Sequence, residues 1–132
     1  MTEASGRNVV DSSGWLEYFA DGPNADFFEA AVEDASSLVV PTLSIYEVFG
    51  GLLREPGGED DASRVVAAMQ RRRIVDLDAE GALDAARTAH ELKLPMADAM
   101  ILAAARATGA ILWTQDADFE GIAGVRYVRK EG

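Results

Sequence analysis

Apolar residues along the chain alternate between two patterns, and the alternation predicts the fold class. Compact runs at 8–11, 37–40, 74–77, 110–113 and 125–128 have the length and composition of buried strands. Between them, residues 15–20, 25–35, 43–55, 62–73, 79–92 and 99–107 carry apolar positions every three or four residues, the spacing of amphipathic helices. Punctuation agrees with this division: Ser12 and Ser13 are helix-start residues, Asp21, Gly22, Pro23 and Asn24 make a turn, Pro41 stops the second strand and Thr42 is placed to cap the next helix. Residues 55–61 read as a charged Pro-Gly-Gly loop, and Gly109 ends the alanine-rich helix that Pro95 introduces. Strands separated by helices imply a parallel sheet with crossovers of one hand, flanked by helices. The expectation is an α/β fold in one domain over residues 1–132, with 1–7 as a flexible N-terminal tail.

Four acidic residues break this pattern in informative places. Asp11 closes the first strand, and Asp98 shares a helical stripe with Ile101, Leu102 and Ala105, at the mouth of a face that should be buried. Asp116, with Asp118 after it, follows the fourth strand. Glu47 lies in the helix after the second strand, aligned with Leu43, Gly50, Gly51 and Arg54. Two adjacent glycines cost a helix about 1 kcal/mol each relative to alanine, which suggests close backbone approach beside Glu47. Each acid also has a local reading. Asp98 suits a cap or macrodipole partner, Asp116 and Asp118 suit a turn, Asp11 or a following serine an N-cap, and Ser44 with Glu47 a capping box. Parallel topology puts the strands' carboxyl ends on one edge, where open α/β folds place their sites, so four oxygen-bearing residues can converge there.

Composition narrows the chemistry. The absence of cysteine excludes disulfides, thiolate metal sites and cysteine nucleophiles, and the single histidine, His90, disfavours zinc enzymes and serine–histidine relays. Oxygen ligands remain. The net charge of −11 argues against a general nucleic-acid coat, because phosphate binding needs basic surface; Arg54 and the run Arg71, Arg72, Arg73 are the candidate RNA contacts, although that run also suits a helix C-terminus. No signal-like start or membrane-length apolar run is evident, so the expectation is a cytoplasmic protein with no membrane association.

The succession VVDSSGWLEYF, LSIYEVFGGLLR and LPMADAMILAAARATGAILWTQDADFEGI resembles the PIN-domain ribonucleases, in particular the VapC-type toxins of toxin–antitoxin pairs. The resemblance covers nearly the whole chain, and ADAMILAAA followed by T-x-D-x-D-F is its most specific part. It implies a three-layer PIN-like fold in which Asp11, Glu47, Asp98 and Asp116 hold Mg²⁺ or Mn²⁺ for RNA cleavage, with Asp118 auxiliary and Ser12 and Thr114 supporting the cluster through hydrogen bonds. It further implies an RNA substrate, a cognate antitoxin and a homodimer. A non-catalytic interaction module of the same fold is the alternative. A receiver domain fits poorly, since Asp11 is followed by serines, and an aspartate-nucleophile phosphatase would want an aspartate where Ser13 stands.

Overall fold

The computed structural model describes residues 6–131. Five short strands are present: β1 (Asn8–Val10), β2 (Val39–Pro41), β3 (Arg73–Val75), β4 (Ile111–Thr114) and β5 (Val125–Tyr127). Between them run α1 (Ser12–Phe19), α2 (Ala25–Val32), α3 (Thr42–Leu53), α4 (Gly58–Gln70), α5 (Ala79–Leu92) and α6 (Met96–Ala107). Every pairing is parallel: β1 with β4, β4 with β5, and β2 with β3. The two groups meet where Asn8 bridges Leu38 and its N–H donates to the Ser37 carbonyl at 2.8 Å, giving the spatial order β3-β2-β1-β4-β5.

Successive residues of a strand face opposite sides, and this alternation divides the core in two. Val10, Val40 and Trp113 pack with Trp15, Phe28, Val48 and Met69 beneath α1–α4. Val9, Val39 and Leu112 pack on the other face with Ile101, Leu102 and Ala105 of α6 and with Phe119. Helices therefore cover both faces of a central parallel sheet, which is the expected architecture. Among the described residues no helix is long and apolar enough to cross a membrane.

Several boundaries differ from expectation for identifiable reasons. The expected loop at 55–61 gives way to helix from Gly58, because Glu59, Asp60 and Asp61 occupy the first turn of α4 and complement its macrodipole. α2 ends at Val32 instead of 35, where Asp34 and Ser37 close successive turns. Pro41 belongs to β2 and occupies the cap position of α3, so Thr42 begins that helix without capping it through its side chain. β3 stops at Val75, and Leu77 is exposed beyond it. The tail expected over 1–7 lies outside the described residues through position 5; Arg7 is held by Nη1 donating to the Thr108 carbonyl at 3.1 Å.

Candidate metal centre

Asp11 leaves β1 and opens α1. Its Oδ1 accepts from the Gly14 N–H at 2.9 Å and from Ser13 Oγ at 3.0 Å, which is the N-cap role the local sequence allowed. Its Oδ2 accepts from Thr114 Oγ1 at 2.6 Å across the β1–β4 pair. Thr114 is fully buried, and its oxygen also accepts the Asp116 N–H at 2.9 Å. One hydroxyl thus sets the spacing between the acid that ends β1 and the acid that follows β4. Asp116 in turn accepts the Asp118 N–H at 2.9 Å through Oδ1, which folds residues 117–119 into a 3₁₀ turn and brings the Asp118 carboxylate back toward the cluster.

Asp98 completes the arrangement from α6. That helix is entered through Pro95 and has no side-chain cap, so Asp98, in its first turn, complements the macrodipole without capping it. The Asp118 carboxylate lies where it can accept a proton held by Asp98. Asp98, Asp116 and Asp118 offer oxygens that all lie within 4.8 Å of one another. Burial, and then the charges of Asp116, Asp118 and Asp11, push the Asp98 carboxyl up to about 7. Burial likewise raises Asp11, against the lowering effect of its hydrogen bonds to Thr114, Gly14 and Ser13, with Asp116 adding repulsion. An all-oxygen set of mutually repelling carboxylates is the donor chemistry of a hard divalent cation.

Glu47 stands outside the close trio. Its Oε1 accepts from Ser12 Oγ at 2.6 Å, so it is tied to the start of α1 beside Asp11 and not to Ser44 in a capping box; Ser44 Oγ is buried without a partner. The close approach expected at the adjacent glycines does not occur. A Cβ at Gly50 would meet nothing within 4 Å, and one at Gly51 would meet only Leu16 Cδ1 at 3.7 Å. That face of α3 is open, with Tyr46 and Leu53 exposed alongside.

The candidate RNA-contacting arginines are not brought together. Arg73 begins β3, so the run sits at the amino edge of a sheet whose carboxyl edge carries the acids. Arg72 is occupied there, donating from Nη2 to the Val32 carbonyl at 3.3 Å. Arg54 follows the end of α3 and lines the open face beside Glu47. His90 is exposed on α5. Residues not anticipated in the sequence also shape the site: Ser13 and Gly14 bond Asp11, and Asn24 and Gln115 form a buried amide pair next to it. Ser13 was legible as part of a capping serine pair. The Asn24–Gln115 contact joins residues 91 positions apart and leaves no local signal.

The PIN domain family model matches residues 9–125, a span that contains all five acids. The chain belongs to the PIN domain family. No curated protein matches it. Among solved structures, a toxin–antitoxin complex from Klebsiella pneumoniae is similar at a TM-score of 0.76 and 23% identity, covering 90% of this chain and 95% of that one. VapBC2 from Rickettsia felis, bound to a DNA fragment from its promoter, is similar at 0.70 and 15%, covering 92% and 97%. The Mycobacterium tuberculosis toxin VapC20, which cleaves the sarcin–ricin loop, is similar at 0.67 and 22%, covering 89% and 98%. These likenesses support the PIN fold, and the family match removes the receiver and phosphatase alternatives.

Proposed function

We propose that this PIN domain is a metal-dependent endoribonuclease acting as the VapC-type toxin of a toxin–antitoxin pair. The observation that carries the reading is the meeting of Asp98, Asp116 and Asp118 within 4.8 Å, with Asp11 charged against two of them. Asp11, Asp98, Asp116 and Asp118 would hold Mg²⁺ or Mn²⁺, with Glu47 completing the set from α3. When bound, such an ion supplies the positive charge against which a water ionises near neutral pH and the phosphodiester's developing charge is stabilised.

The chain's own part is positional. Thr114 and Ser13 hold the Asp11 carboxylate in one orientation, Ser12 holds Glu47, and the 3₁₀ turn keeps Asp118 against Asp98. With its carboxyl pushed up to about 7, Asp98 is only partly ionised around neutral pH, so binding of a cation there would be coupled to release of a proton. A protein partner is favoured by the open face of α3, where exposed Tyr46 and Leu53 flank glycines with no neighbour. A cognate antitoxin and a second copy of the chain are the partners proposed.

The test is Mn²⁺-dependent cleavage of a panel of structured RNAs by wild type, Asp98→Asn and Asp116→Asn. Both variants should lose activity on the order of a hundredfold or more, and chelation should abolish it in wild type. Undiminished cleavage by either variant would assign the activity to another site or to a contaminant.

A further inference from the structure

A cleft of about 450 Å³ opens beside the carboxylates, lined by Ser13, Gln115, Asp116, Tyr127, Arg129 and Lys130. One wall is acidic through Asp116, and the facing segment carries two cations in succession. Resting on the nuclease reading, we propose that Arg129 and Lys130 grip the RNA backbone next to the scissile phosphate, making this cleft the path of the bound strand.

Two observations carry the assignment. The first is that the segment after β5 is built into the site. Asn24, buried in the α1–α2 turn, donates from Nδ2 to the Arg129 carbonyl at 3.0 Å and to Gln115 Oε1 at 2.9 Å. Gln115 Nε2 approaches the Ser13 carbonyl at 3.5 Å, and the Val128 N–H donates to the Thr114 carbonyl at 3.0 Å. Burying two amides is unfavourable unless they are bonded. Here these bonds fasten residues 128 and 129 to Thr114 and, through Asn24, to Gln115, which fixes where Arg129 and Lys130 leave the surface.

The second is what the other basic residues are doing. Arg64 and Arg87 are in ion pairs with Asp61 and Asp84, Arg72 is on a carbonyl, and Arg126 lies over the Trp113 ring at 4.8 Å. Arg71 and Arg73 are at the far edge of the sheet, Lys93 and Arg106 are at the C-terminal ends of α5 and α6, and Arg54 lines the open face of α3 beside Glu47, outside this cleft. Arg129 and Lys130 are exposed, enter no ion pair among the described residues, and face the cleft that contains a cluster acid. On a chain of net charge −11, polyanion binding must be local, and a guanidinium can hold a phosphate through two parallel hydrogen bonds.

The experiment compares Arg129→Gln/Lys130→Gln with Arg71→Gln/Arg73→Gln, which removes the same charge elsewhere, and with Arg129→Lys/Lys130→Arg. Binding of a short fluorescein-labelled single-stranded RNA of mixed sequence is followed by anisotropy across a salt series, in an Asp98→Asn background so that no cleavage intervenes. KM and kcat are measured separately on the cleaved RNA with Asp98 intact. The glutamine pair at 129 and 130 should flatten the slope of log affinity against log salt by about 1.4, the contribution of two phosphate contacts on a single strand. It should raise KM on the order of tenfold with kcat little changed, as expected when uniform binding is lost. The charge-conserving pair Arg129→Lys/Lys130→Arg should restore both, and the far-edge pair should behave as wild type. If the two glutamine pairs are indistinguishable while wild type cleaves, the grip is refuted and the nuclease reading stands. RNA binding that depends on residues 129 and 130, with no cleavage under any metal condition, would refute the nuclease reading and keep the grip. Absence of both binding and cleavage would overturn the two together.

Discussion

Thr114 is the residue on which the geometry of the acids turns. Its hydroxyl donates to buried Asp11 and accepts from the half-buried Asp116 N–H, so losing it leaves the Asp11 oxygen without a ready substitute. Thr114→Val keeps the shape and removes both bonds. Leaving the buried Asp11 oxygen unsatisfied should cost about 1–3 kcal/mol of stability. It should also lower the affinity for Mn²⁺ by roughly 10–100-fold, as removal of a ligand's hydrogen-bond partner does. Chemical denaturation and Mn²⁺ titration of Thr114→Val and Thr114→Ser check this; serine should recover most of the metal affinity, and a valine protein that binds metal as wild type does would refute the role. At this scale the sequence is ambiguous because local and long-range uses coexist. Asp11 caps α1 and belongs to the cluster, and Asp116 initiates a turn and belongs to it too. The cap is visible from three neighbouring residues. The cluster depends on contacts across about a hundred positions; parallel topology placed the acids on one edge in advance, and the family resemblance singled them out as one set.

At the scale of elements, the joint between β1 and α1 is where the sheet delivers Asp11, and Gly14 makes that joint possible. A Cβ there would meet Phe28 Cε1 at 2.6 Å and Val10 Cγ1 at 2.7 Å, distances at which packed core groups must move. Gly14→Ala should therefore destabilise the protein by about 1–3 kcal/mol through overpacking. Because the Gly14 N–H bonds Asp11, Mn²⁺ affinity should fall as well, to be read by thermal melts with and without the ion. A full-strength metal response in the alanine protein would separate the joint from the site. The elements themselves were legible wherever hydrophobic period and punctuation agreed: α5 begins and ends where its spacing predicts, and Gly109, at φ 68°, marks the end of α6. They were less legible where charge decided the structure. Glu59, Asp60 and Asp61 look like loop in a Pro-Gly-Gly setting and become the stabilised first turn of α4. The glycine pair in α3 misled for a different reason: a missing Cβ signals room, and the chain itself does not fill that room.

For the whole molecule, the cluster ties folding to pH and to the ion in opposite senses. Without a cation, Asp98 has its carboxyl at about 7 in the folded protein, chiefly from burial and then from the acids around it, against an ordinary value of 3.8 when unfolded. Between those values the folded state holds a proton that the unfolded state has released. A carboxyl raised in this way adds stability on the acid side, which is lost as pH rises through the folded value. The metal-free protein should thus melt higher at about pH 5.5 than at about pH 8, and Asp98→Asn, which cannot ionise, should show a smaller difference. Divalent ions reverse the trend, because they bind the deprotonated carboxylates and compete with that proton. The gain in melting temperature from saturating Mn²⁺ should accordingly be larger at about pH 8 than at about pH 5.5, and small at both in Asp98→Asn. Asp11 is raised as well, so some acid-side stabilisation persists in the variant, but the metal-dependent part should not. Equal gains from Mn²⁺ in wild type and Asp98→Asn at both pH values would place the ion elsewhere on this acidic surface. Gains confined to wild type and growing with pH would mean that the repulsion built into the carboxyl edge of the sheet is what the cation relieves.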